Sequence, residues 1–90
     1  MKEKEAVFFQ YRNLLTVTQW QLLKAMAKEE KVVQPYNKKF INTYNLGSSA
    51  IVKRSLESLL QKEMLYRDIS ISEPYYAVYD KFLMRWLQAL

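Results

Sequence analysis

Ser49 and Lys53 stand one helical turn apart, the spacing at which a serine hydroxyl and a lysine amine can meet for nucleophilic chemistry. Both fall on the polar side of a helical pattern, with nothing to lower the lysine pKa or hold an oxyanion, so catalysis by this pair is not expected. Glu29 and Glu30 are adjacent in sequence and diverge rather than converge on a metal. The chain of 90 residues has no histidine, no cysteine and a single glycine. That inventory removes the commonest general base, thiolate chemistry and most zinc sites, and one glycine cannot build a phosphate-cradling loop. The expectation is a non-enzyme, with no catalytic residue, metal ligand or cofactor in this chain.

The basic residues offer a different chemistry. Ser48, Ser49, Lys53 and Arg54 lie in the first half of a helix that follows Gly47, the end that enters a major groove in helix-turn-helix proteins. Lys38 and Lys39 open the preceding helix, where backbone phosphates of a duplex would pass. Lys62 and Arg67 would add contacts from the far end and from the following β-segment. Arg54 suits a base edge, whereas the lysines suit phosphates, which give affinity without sequence information. Two features oppose this reading. Glu57 sits in the middle of the same face, and Ile69-Ser70-Ile71-Ser72-Glu73 contains no cation. The net charge of +5 permits nucleic acid or an acidic partner surface without demanding either.

The elements that must position these residues follow from periodicity and caps. Residues 3–15 read as a helix with Val7, Phe8, Tyr11, Leu14 and Leu15 on one side. Thr16 with Gln19 fits a capping box for a second helix carrying Val17, Trp20, Leu22, Leu23 and Met26 inward. Val32-Val33-Gln34 is short and β-prone, and Pro35 ends it. Asn37 is a good cap for a helix holding Phe40, Ile41 and Tyr44, and Ser48 for one running to about Lys62. In the latter, Ile51, Val52, Ser55, Leu56, Leu59 and Leu60 share the apolar face. The runs Met64 to Asp68 and Tyr75 to Tyr79 read as an antiparallel hairpin, with Tyr76 and Val78 facing one way and Tyr75 and Tyr79 the other. Asp80 caps a last helix, 81–89, with Phe82, Leu83, Trp86 and Leu87 inward. The expected core also includes Leu46 and Leu65.

Three helices and a two-stranded ribbon make a mainly α fold with a small β-wing: a winged helix-turn-helix, residues 15–90, preceded by an extra N-terminal helix, residues 1–14. At residue level, Leu15 to Glu29, Tyr44-Asn-Leu-Gly-Ser48, Val52 to Glu63 and Val78-Tyr-Asp80 with Phe82, Trp86 and Leu87 resemble the C-terminal winged-helix region of archaeal-type ATPases. These are P-loop proteins of the AAA/STAND-like kind, also found in gut Bacteroidetes. Lys81 departs from the proline usual in that family after the aspartate.

The resemblance implies a C-terminal piece of a longer chain whose Walker motifs, ATP and Mg lie upstream. Residues 1–14 would then end a helix of the ATPase lid. The implied role is a regulatory, protein-interaction module that couples the ATPase state to a partner by rigid-body movement. Tyr66, Tyr75, Tyr76 and Tyr79 favour a protein interface. The alternative is duplex DNA binding through residues 48–62. Expected partners are the parent's ATPase domain, duplex DNA in the alternative, and a second copy through the N-terminal helix. The alternating charges of Met1 to Glu5 fit neither a signal peptide nor a membrane span, which reads as a cytoplasmic protein.

Overall fold

The structure, a computed structural model, describes residues 10–70 and 72–90. The expected helix over residues 3–9, its apolar positions Val7 and Phe8, and its pairing of two copies lie outside the described residues. Helix α1 is described over residues 10–14, and α2 spans Val17–Glu29, α3 Lys38–Thr43, α4 Ser49–Gln61 and α5 Lys81–Gln88. Strands β1 (Leu65–Asp68) and β2 (Tyr75–Val78) lie between α4 and α5. No helix among the described residues is long and apolar enough to cross a membrane.

Each boundary has a local cause. Thr16 and Gln19 form the expected capping box: the Thr16 hydroxyl accepts from Gln19 N–H at 3.2 Å, and Gln19 Oε1 accepts from Thr16 N–H at 3.1 Å. Asn37, Ser48 and Asp80 cap α3, α4 and α5 in the same way. At the C-terminus of α2, Glu30 takes φ 67 and Lys31 N–H reaches back to Glu29 C=O at 2.7 Å, a three-residue turn that redirects the chain.

Helix α2 is the centre of the core, packed by α4, α5 and β2. It buries Trp20, Leu22, Leu23, Ala25, Met26 and Ala27, against Val52, Leu56 and Leu59 of α4 and Leu83, Met84 and Leu87 of α5. Each fully buried Leu of this set contributes about 1.5–3 kcal/mol. Trp20 and Trp86 meet edge to face at 6.1 Å, and Gln88 Nε2 donates to Ala27 C=O at 2.7 Å. A polar seam runs beside this packing, with Ser55 donating to Thr18 Oγ1 at 3.4 Å and Gln19 Nε2 to Ser58 Oγ at 3.0 Å.

Four apolar positions depart from the expected core. Val17 is 72% exposed, Ile51 36% and Phe82 58%. All three occupy the first turn of their helices, ahead of the residues that reach the core. Leu14, also 72% exposed, ends α1, and the chain turns so that Leu15 is buried instead. Phe40, Leu60 and Trp86 pack on the core while only partly buried.

The hairpin pairs Leu65 with Val78, Tyr66 with Ala77, Arg67 with Tyr76 and Asp68 with Tyr75. Val32 adds an isolated antiparallel bridge to Tyr76 on the other edge of β2. Alternation then puts Leu65, Tyr76 and Val78 against the core and Tyr66, Tyr75 and Tyr79 on the outer face.

Candidate functional site

The turn between α3 and α4 depends on two left-handed residues, Asn45 at φ 54 and Gly47 at φ 94. Asparagine and glycine are the residues that adopt this conformation most readily. Leu46 between them is buried, and its N–H returns to Ile41 C=O at 2.9 Å. A Cβ on Gly47 would stand 3.2 Å from Ile51 Cδ1, so the turn is close-fitting as well as left-handed. The Tyr44 hydroxyl donates to the Glu29 carboxylate, tying the end of α3 to the end of α2. That bond, with burial adding to it, pushes the Tyr44 hydroxyl up to about 12.

The basic residues are exposed, but they do not converge. Lys53 and Arg54 stand side by side on α4 with no hydrogen bond or ion pair among the described residues. Arg54 borders a groove of about 310 Å³ with Thr16, Thr18, Gln19, Ile51 and Ser55. Lys39 belongs to another groove, with Glu29, Phe40, Tyr44 and Glu73, and Arg67 to a third, with Pro35, Tyr36, Pro74 and Tyr76. Lys38 is exposed at the start of α3, and Ser49 at the start of α4. The Ser48 hydroxyl is engaged as the cap, accepting from Ile51 N–H at 3.3 Å. Lys62 is drawn toward α2, where its Nζ donates to Gln19 Oε1 at 3.4 Å.

Acidic groups interrupt the same region. Burial raises the Tyr36 pKa, and its interactions with the Tyr76 hydroxyl and the Glu57 carboxylate raise it further. At the base of the wing, Asp68 accepts from the Ser70 hydroxyl, from Ser70 N–H at 2.9 Å and from the Tyr75 hydroxyl at 3.1 Å. Those three bonds hold its carboxyl below the usual range. The described wing-tip residues carry no cation, and Ile69 is 70% exposed.

The outer face of the hairpin is organised differently. Tyr66 meets Tyr75 at 6.4 Å and Tyr79 at 5.9 Å, both edge to face. Lys31 Nζ lies 5.1 Å from the Tyr75 ring centre and Lys81 Nζ 5.8 Å from that of Tyr66. The Tyr66 hydroxyl and the Asp68 carboxylate push the Tyr75 hydroxyl up to about 12. Ala77 and Met84 line a shallow cleft of about 210 Å³ with Tyr66, Tyr75, Lys31, Lys81 and Glu30. Sequence reasoning picked out the tyrosines but missed both lysines. Lys31 precedes the Val32 bridge and Lys81 opens α5, and nothing local signals where either ammonium will rest.

No group of three or more acidic, cysteine or histidine side chains among the described residues is placed to hold a metal ion. A family model described as a probable winged helix domain matches residues 6–89. No curated protein and no solved structure gives a significant match.

Proposed function

Since the chain belongs to the family described as a probable winged helix domain, we propose that it is a non-catalytic protein-interaction module that docks through the outer face of its wing hairpin. The observation that carries this reading is the Tyr66, Tyr75 and Tyr79 cluster, held between Lys31 and Lys81 with Tyr79 64% exposed. Tyrosines already packed against one another present a large contact area with little side-chain entropy left to lose, which is why aromatic residues dominate interface cores.

The partner we assign is the nucleotide-binding domain of a P-loop ATPase of archaeal type in the same longer chain, with ATP and Mg bound there. The support is the likeness of Tyr44 to Ser48 and of Val78 to Asp80 to the C-terminal region of such proteins. In this reading the module reports the nucleotide state by moving as a rigid body.

Duplex DNA binding is the second reading, favoured by the unpaired, adjacent Lys53 and Arg54 on α4. Glu57 on the same helix and the scatter of the remaining cations over separate grooves weigh against it.

Titration calorimetry of this domain against the separately produced ATPase domain tests the first reading. Tyr66→Ser/Tyr79→Ser weakens association at least tenfold, whereas Lys53→Glu/Arg54→Glu leaves it unchanged. The reverse ranking, or no association of the wild-type domain, overturns it.

A further inference from the structure

The tyrosine face has a weak end. Asp68 and Tyr75 form the last register pair of the hairpin, and beyond them the chain leaves the ladder for the wing loop. Residues directly opposite in an antiparallel pair project on the same side, so the Asp68 carboxyl shares the outer face with the Tyr75 ring. Tyr66, the hub of the cluster, stands diagonally across from Tyr75 and meets it edge to face. Backbone pairing fixes where Tyr75 begins. At the terminal pair, the direction of its ring has to come from side-chain partners.

Both oxygens of Asp68 supply that direction. Oδ1 accepts from the N–H and the hydroxyl of Ser70, which holds the first residues of the wing loop. Oδ2 accepts from the Tyr75 hydroxyl at 3.1 Å. One carboxylate therefore joins the loop to the face, through charge-assisted bonds that are stronger than neutral ones. Lys31, 5.1 Å from the Tyr75 ring centre, also favours the Asp68 charge. Glu30 and Lys81 border the same cleft, and Arg67 lies over Tyr76 on the other side of the hairpin.

We propose that Asp68 is the positioning residue of the tyrosine face, setting the ring cluster through Tyr75 and tying that arrangement to the wing loop through Ser70. This rests on the tyrosine face being the docking surface. Loss of the carboxylate charge, or a pull on the loop, releases Tyr75 from the cluster. The core stays closed, because Leu65 and Val78 are buried on the inner face of the same strands. The bonds from Ser70 and Tyr75 hold the Asp68 pKa below the ordinary carboxylate value. The arrangement is accordingly complete at neutral pH and parts as pH falls through that lowered pKa.

Proton NMR of the free domain reads the positioning directly. The wild type at neutral pH gives cross-peaks from the Tyr75 ring to the Tyr66 ring and to the Lys31 ε-methylene, and loses them in acid. Asp68→Ala lacks them at neutral pH, with the core methyl signals of Leu23 and Val52 in place. Tyr75→Phe, which keeps the Ser70 bonds, loses the ring cross-peaks while the Ser70 amide signal stays where it was. Asp68→Asn keeps an acceptor for Ser70 but has no charge to lose, so its spectrum shows no acid step. Intact cross-peaks in Asp68→Ala or Tyr75→Phe, or the same acid step in Asp68→Asn, overturn the proposal. In calorimetry against the ATPase domain, Asp68→Ala weakens association about tenfold; undiminished association also overturns it. No association of the wild-type domain overturns the docking reading instead, and the cross-peaks decide the positioning independently.

Discussion

On α4 the cations that could meet a partner are unpaired among the described residues; on the hairpin the tyrosines already pack edge to face on one another. Lys53 and Arg54 project from a helix whose opposite face buries Val52, Leu56 and Leu59, and they make no hydrogen bond or ion pair among the described residues. Tyr66 meets both Tyr75 and Tyr79 edge to face, Lys31 and Lys81 lie over Tyr75 and Tyr66, and the Tyr75 hydroxyl donates to Asp68. The first arrangement suits long-range attraction to a charged polymer, which depends on numbers of cations and falls with salt. The second suits a fixed contact surface, where preorganisation lowers the entropic cost of docking. Both sit on one frame centred on α2, so each can be disturbed while the other is left in place.

The largest expected effect separates the frame of α4 from that of the hairpin. Gly47→Val puts a β-branched side chain at φ 94, with Ile51 Cδ1 3.2 Å from the new Cβ. It should destabilise the domain by about 1–2 kcal/mol, read by thermal unfolding. Amide exchange should quicken first around α3 and α4 and later in the hairpin. Equal acceleration throughout would mean that the two regions open as one unit.

Tyr44→Phe should cost about 1 kcal/mol through loss of the bond to Glu29. The Tyr44 hydroxyl titrates at about 12 in the folded chain, above its ordinary value of 10.0. A raised acid pKa means that the stabilisation is fully present below about pH 10 and disappears as pH rises through 12. Unfolding curves of the wild type and the variant should therefore differ at neutral pH and converge near pH 12. A constant difference across that range would show that the bond is not the source.

The smallest effect is expected on α4's outer face. Lys53→Glu/Arg54→Glu should change stability by no more than about 0.5 kcal/mol, because both residues are exposed and unpaired. A larger loss in chemical denaturation would mean that these cations support the fold rather than await a partner.

The frame was legible where cause and consequence are close in sequence. Thr16, Asn37, Ser48 and Asp80 were identifiable as caps, and Gly47 as the turn, because each acts on residues at most three positions away. Val17, Ile51 and Phe82 were misplaced for one shared reason. A helical wheel records which side a residue faces but not where along its length the helix meets the core, so first turns are assigned inward too freely. The reading also missed Met84, which is buried beside Leu83 and Leu87 on the broad inner face of α5.

The candidate sites were legible by residue type and not by pairing. Basic residues on α4 and tyrosines on the hairpin are visible in the chain, yet Lys31 over Tyr75, Lys81 over Tyr66 and Tyr44 on Glu29 join residues from different elements. Those encounters are set by how the elements pack.

The central claim is that the hairpin, not α4, is the working surface. Fluorescence anisotropy of a labelled random-sequence duplex, titrated at low and at physiological salt, tests it most directly. The account predicts no measurable binding at physiological salt, and at low salt the same weak affinity for Lys53→Glu/Arg54→Glu as for the charge-matched Lys24→Glu/Lys28→Glu. Binding that persists at physiological salt and is abolished only by the Lys53 and Arg54 reversal would contradict it and make α4 the functional face.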